Sequence, residues 1–278
     1  MKLNKLEDSF KQALYDLNLI VGRLIVLELF VENSKEIIDK DEKLGHPLVV
    51  TYLIFSDVTL KEDVNNKVST GEYLLHRSNL SDEVNMILSR EYLFQIAQAY
   101  EIVETFLYNQ VSEFINSKNS LQLFIDQRSN VSSTKSIRKA LKTFSDRKNN
   151  RHLLNIIRSN CDIYSEYERS NIYDLDFGQW YEMFSEVRHC ITHSKMAMTP
   201  ELKDSHDAFF KKHFRIKKYD DKEILYIERL EALTLFSRIA DFVLLIHKAI
   251  SKECFQIDVN LESIKPILKM INNKTADN

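Results

Sequence analysis

The chain has 278 residues, 44% of them hydrophobic, and a net charge of −3, which makes it globular with ample length for a core and excludes a general polycation. Four glycines and three prolines leave too little punctuation for an all-β fold, so a mainly α chain is expected. Three cysteines, odd in number and far apart, argue against a disulfide framework and a Cys-based zinc site, and point to a reducing cytoplasm.

In chain order, residues 3 to 39 read as one long helix, with Leu6, Phe10, Leu14, Leu17, Val21 and Leu24 near helical spacing until Gly45, His46 and Pro47 break the pattern. Its most apolar run, Leu17 to Val31, is short and carries Arg23 and Glu28. It is expected to be a buried helix rather than a membrane span or a signal peptide. Leu48 to Leu60 is rich in β-branched and aromatic residues, which favours a strand over a buried helix. The polar stretch from Lys61 to Ser89 holds the boundary of an N-terminal helical or α+β subdomain, placed at residues 1–87.

Residues 89 to 117 give the clearest helix, with Leu93, Ile96, Tyr100, Val103, Leu107, Val111 and Phe114 recurring at three or four. Glu101 and Glu104 leave this helix on its polar side. Charge then segregates. Ser133 to Asn160 holds eight basic residues, among them Arg138 and Lys142, against the single acid Asp146. Cys161 to Val187 holds seven acids against Arg169. The basic segment suits phosphate; mutual neutralisation of the two segments fits the composition equally.

Chemistry concentrates between Trp180 and Met198. Trp180, Phe184, Val187 and Ile191 form an apolar stripe at spacings of four, three and four, while Glu182, Glu186, His189 and His193 lie opposite and Arg188 leaves the edge of the stripe. RNA carries its own nucleophile in the 2′-OH. Cleaving it needs a proton acceptor, a proton donor and positive charge for the crowded phosphorus, and no metal. Histidine moves protons near neutral pH, and a guanidinium matches phosphate oxygens with a planar fork. The same residues also fit a structural ion pair beside a packed histidine. His189 and His193 at i and i+4 suit zinc in spacing, although no third ligand completes a metal motif.

Arg188-His189-x-x-x-His193 resembles the Arg-x(4-6)-His signature of the HEPN superfamily, small helical domains that include metal-independent endoribonucleases. Arg147 and His152 have the same spacing, but they lie in the Asn-rich stretch DRKNNRH with no apolar stripe around it, and we set that copy aside. The resemblance covers roughly residues 88 to 255 and implies an antiparallel helical bundle with a small β-hairpin. It implies that Arg188 orients the scissile phosphate, that His193 is the acid or base and that His189 supports them. It further implies RNA as substrate, no metal or cofactor, a homodimer pairing two motifs across a cleft, and a toxin, defence or stress role with a neutralising partner protein. The alternative is a non-catalytic HEPN-like module that binds RNA or a protein.

Beyond the motif, Thr199 and Pro200 mark a break, and Phe209 to Ile227 alternates as a β-hairpin with Asp220 and Asp221 at its tip. Its first strand is expected to carry Lys211, Lys212, Arg215, Lys217 and Lys218, a candidate RNA-binding patch that equally suits protection of a sheet edge. Leu230 to about 252 reads as the last long helix, and residues 256–278 as a short helix broken at Pro266 followed by a tail.

Overall fold

A computed structural model describes residues 2–40, 48–51, 54–55, 68–69, 72–117, 151–198, 202, 208–219 and 221–276. The protein is mainly α. Its helices are α1 (Lys2–Lys40), α2 (Leu80–Ser117), α3 (Arg151–Asn160), α4 (Asp162–Arg169), α5 (Phe177–His193), α6 (Ala208–His213), α7 (Arg229–Phe255) and α8 (Leu261–Ala276). The strands are β1 (Leu48–Thr51), β2 (Ile54–Phe55), β3 (Val68–Ser69), β4 (Glu72–Leu75), β5 (Arg215–Tyr219) and β6 (Lys222–Tyr226).

The chain divides into two compact units, residues 1–23 with 90–278, and residues 24–89. In the smaller unit β1 pairs antiparallel with β4, and β2 with β3. The pairs Leu48↔Leu75 and Ile54↔Ser69 belong to one shared register, so the Leu48–Leu60 strand reading is met at 48–51 and 54–55, with 52–53 and 56–60 outside the described residues.

The larger unit is a helical bundle built on α2. Leu93, Ile96, Tyr100, Val103, Leu107, Val111 and Phe114 are all buried, and so are Tyr92, Phe106, Tyr108 and Ile115 on its other sides. Arg90, Phe94, Gln98, Glu101 and Thr105 form its one exposed face, so α2 needs neighbours on its remaining sides. The start of α1 runs antiparallel beside α2, where Gln110 donates through Nε2 to the Leu6 carbonyl at 2.9 Å and to Ser9 Oγ at 2.7 Å. α5 packs on α2 through Tyr100 against Tyr181 and Phe184, with ring centroids 5.4 and 5.2 Å apart. α7 receives Phe177 and Trp180 of α5 around Phe242, at 5.1 and 5.2 Å. Leu235, Ile239, Phe242, Ile246 and Ala249 of α7 are completely buried.

Three expectations need correction. The run Leu17 to Val31 is not buried throughout: α1 buries one stripe, Leu6, Phe10, Ala13, Leu17, Ile20 and Leu24, and leaves Val26, Leu29 and Phe30 outward. The buried stripe ends at Leu24 and no residue from 25 to 40 is buried, so the apolar residues past that point stay at the surface. Lys211 and Lys212 lie in the short helix α6 before the hairpin, whose first strand begins at Arg215. Pro266 does not break α8. It is the sixth residue of that helix, so its missing N–H costs one bond, to the carbonyl of the exposed first-turn residue Glu262. Asn260 and Ser263 cap the same end reciprocally, Ser263 N–H to Asn260 Oδ1 at 2.9 Å and Asn260 N–H to Ser263 Oγ at 3.0 Å. Among the described residues no helix is long and apolar enough to cross a membrane.

Candidate functional site

The helix that carries the motif is fixed first at its N-terminus. Asp176 is its N-cap and accepts from the N–H groups of Gly178 at 2.8 Å and Gln179 at 3.0 Å. The same carboxylate receives Arg158 of α3 at 2.5 Å. Arg158 also grips Glu168 of α4 with two parallel bonds, Nε to Oε2 and Nη2 to Oε1, both 2.7 Å. Glu168 in turn accepts from the Phe177 N–H at 3.1 Å and the Tyr164 hydroxyl at 3.1 Å. One guanidinium therefore ties three helix ends together. Gly178 makes room for it, since a Cβ there would sit 2.4 Å from Arg158 Nη1.

Along α5 the stripe Trp180, Phe184, Val187 and Ile191 is buried, as its spacing predicts, and Tyr181, Met183 and Cys190 extend it. Seven residues beyond Tyr181, Arg188 leans the same way, toward α2. Its Nη2 and Nε lie 2.5 and 2.8 Å from Oε1 of Glu101, so one of the two acids expected on the polar side of α2 does reach the motif. The two side chains keep 32% and 50% of their surface exposed. A pair this wet contributes about 0–1 kcal/mol.

His189 and His193 are exposed one turn apart, with ring centroids 4.7 Å from each other. Five residues of helix put roughly 140° of rotation between Arg188 and His193. Within one chain the guanidinium is turned toward α2 and the His193 ring toward open surface. His189, about 100° from Arg188, stands between them.

The end of the helix is a strained turn. Ser194 N–H and Met196 N–H both donate to the Cys190 carbonyl, at 3.2 and 3.1 Å. Lys195 and Met196 take left-handed backbone angles, φ 51° and 65°. Neither is glycine, and each such residue costs about 1–2 kcal/mol. The hairpin holds them there: Leu225 N–H donates to the Met196 carbonyl at 2.8 Å, Met198 N–H to the Glu223 carbonyl at 3.0 Å, and Ala197 bridges Ile224. Cys190 Sγ donates to the Ala197 carbonyl at 3.2 Å, and burial pushes its thiol up to about 11. His193 is thus the last helical residue before an anchored turn.

The candidate phosphate-binding cations spread out. Arg215 is engaged by Glu228 at 2.5 Å and Glu231 at 3.3 Å, and Lys217 lies over the Tyr226 ring at 5.1 Å. Lys211, Lys212 and Lys218 are exposed. β6 is the covered strand of the hairpin, with Ile224 and Leu225 buried, whereas Arg215, Ile216 and Lys218 of β5 face outward, the pattern of a protected edge. Arg138 and Lys142 lie outside the described residues. Of the basic segment, Arg158 neutralises two acids of the segment that follows.

Among the described residues no three His, Cys, Asp or Glu side chains group as a metal site. Sequence reasoning missed the Arg158 junction, although Asp176 ahead of the apolar stripe is a legible N-cap signal. No family model, curated protein or solved structure matches the chain.

Proposed function

We propose that the chain is a metal-independent endoribonuclease of HEPN type, an effector of toxin, defence or stress class, with Arg188, His193 and His189 as its working residues. The observation that carries this reading is their place: two exposed, mutually touching imidazoles and a replaceable arginine at the end of a helix whose other end is tightly held. His193, supported by His189, takes the proton of the 2′-OH, whose oxygen attacks phosphorus. The 5′-oxygen leaves with a proton from His193 of a second copy of the chain, and a 2′,3′-cyclic phosphate remains. Arg188 serves the non-bridging oxygens. Exchanging Glu101 for phosphate costs little, because the exposed pair is worth about 0–1 kcal/mol and a charge-assisted fork to phosphate replaces it.

The divergence of Arg188 from His193 on one helix favours a two-fold homodimer, in which a second α5 supplies the converging groups. Light scattering at micromolar concentration should give twice the 32.8 kDa chain mass. A monomer would remove the shared cleft.

Cleavage of RNA should persist in EDTA, spare DNA and 2′-O-methyl RNA, and leave cyclic or 2′/3′-phosphate ends. His193→Ala should lower the rate by about a hundredfold or more with the melting temperature unchanged. Arg188→Lys should also lower it, since a point charge cannot reproduce a fork; His189→Ala should do so less. Unchanged cleavage in His193→Ala, or activity lost in EDTA and restored by zinc or manganese, would overturn the mechanism. A second reading, a non-catalytic module that binds RNA or a protein, is favoured by one observation, the engagement of Arg188 by Glu101. Retained RNA binding with no cleavage by the unaltered protein would select it.

A further inference from the structure

The β5–β6 hairpin has two edges, and they differ in what bonds them. Leu225 N–H donates to the Met196 carbonyl and the Glu223 carbonyl accepts from Met198 N–H, so the backbone groups of Glu223 and Leu225 point away from β5, into the turn that ends α5. Those of Lys222, Ile224 and Tyr226 therefore point at β5, where their register partners are Tyr219, Lys217 and Arg215. By the same alternation the N–H and C=O groups of Ile216 and Lys218 point away from β6. Among the described residues nothing bonds them. The outer side of β5 is thus the open edge of this small sheet.

The side chains along the edge decide what fits it. Ile216 faces the same way as its register partner Leu225. Leu225 is 1% exposed and Ile216 41%, so the apolar face runs outward from the core and stops unfinished at the edge. Lys218 is exposed, and Lys217 lies over the Tyr226 ring. A second copy of the hairpin is a poor way to finish this face. In an antiparallel two-fold pairing the outward residues meet outward residues, which leaves three registers: Ile216 on Ile216, Ile216 on Lys218, and Lys218 on Lys218. The first sets Arg215 against Lys217, the second Lys217 against Lys217 and the third Lys218 against Lys218, and like charges directly opposite are destabilising. Lysine on an edge strand keeps such copies off. The same lysines favour a strand that carries carboxylates.

We propose that the outer edge of β5 docks an extended acidic segment of another protein, added antiparallel as a further strand, with an apolar side chain against Ile216 and carboxylates against Lys217 and Lys218. RNA would use the lysines alone, whereas a polypeptide also brings the peptide groups and the apolar side chain that the edge lacks. The edge shares no residue with the motif, so the proposal stands or falls apart from the nuclease reading.

The probe is the peptide acetyl-Thr-Glu-Glu-Val-Thr-amide, whose valine faces Ile216 and whose glutamates face Lys217 and Lys218. It is titrated onto the full, isotope-labelled chain and read by amide NMR. The Ile216 and Lys218 amides should shift saturably and exchange more slowly. Methylating the peptide nitrogens of the valine and the first glutamate, which point at β5, should weaken binding about tenfold or more, because two hydrogen bonds are lost. Methylating the second glutamate, which points away, should weaken it far less. A peptide with lysine at both glutamate positions should bind about fivefold more weakly or worse, and the doubly reversed chain, Lys217→Glu with Lys218→Glu, should invert that order. Ile216→Pro removes an outward N–H and should abolish binding; where that variant fails to fold, the charge reversal carries the test. Absent binding, equal binding of the glutamate and lysine peptides, or indifference to the position of the methyl groups would overturn the proposal. A 2′-O-methyl oligouridine that shifts these amides where the peptide does not would make the edge an RNA site, and a dimer that Ile216→Pro dissociates would make it a contact between copies; either result also overturns it.

Discussion

The two ends of α5 each place an arginine on carboxylate, yet the pairs differ in kind. At the N-terminus Arg158 holds Glu168 and Asp176 with side chains 23%, 11% and 44% exposed, and the acids are also bonded by backbone N–H groups. At the C-terminus Arg188 meets, among the described residues, Glu101 alone, at side chains 32% and 50% exposed, beside two exposed histidines. The first arrangement is a staple whose parts have nowhere else to go. The second can release its arginine to a ligand at small cost, which is the property a phosphate-binding residue needs.

Breaking the staple is expected to have the largest effect on stability. Arg158→Ala strands two carboxylates and should cost roughly 2–4 kcal/mol, somewhat below the range for a fully buried pair because the site is partly wet. Gly178→Ala should also destabilise, and in a denaturant double-mutant cycle most of that cost should vanish in the Arg158→Ala background, since the clash is with Arg158 itself.

Acid should separate the regions by pH. Burial, aided by the Arg238 charge, holds His213 down at about 4, and burial holds His247 at about 4 with Lys11 aiding and Glu7 opposing. Because these folded values lie below the ordinary 6.5, the unfolded chain binds more protons, and stability is full above 6.5 and falls as pH drops toward 4. Urea denaturation at pH 7 and pH 5 should show a loss of about 2 kcal/mol per histidine, and His247→Phe should remove one share. The staple fails later. Burial alone would raise the Asp176 carboxyl, but the bonds from Arg158, Gln179 and Gly178 hold it below its ordinary 3.8, so its contribution is present above 3.8 and is lost only as pH falls further.

Asp176→Ala should cost about 1–2 kcal/mol, the cap plus a share of the ion pair. Arg188→Ala should cost less than about 1 kcal/mol in the same measurement while removing RNA cleavage. A loss of several kcal/mol there would make Arg188 a second staple and weaken its assignment to phosphate.

The long helices were legible because their apolar periodicity survives into the fold: the stripe of 89–117 is the buried centre of α2, and Trp180, Phe184, Val187 and Ile191 are the buried face of α5. The hairpin was legible too, from alternation around Asp220 and Asp221, with Asp221 at φ 63° in the left-handed region that Asp tolerates. Pattern reading failed where the deciding fact was a neighbour. Nothing in the spacing of Val26, Leu29 and Phe30 says that the buried stripe of α1 ends at Leu24. Pro266 in sequence reads as a stop, yet in place its lost bond falls in an exposed first turn.

Local order along the chain thus determined which segments are helices, which face each presents and where Arg188, His189 and His193 stand on theirs, because periodicity and capping act within a few residues of themselves. Only the tertiary structure decided that Arg158 is a staple and Arg188 a loosely held cation, that Glu101 reaches the motif, and that His247 is buried against Phe10. Those outcomes depend on which groups separated in sequence by ten to two hundred and fifty residues share a low-dielectric neighbourhood, and burial sets both the strength of an ion pair and the cost of a polar atom left alone.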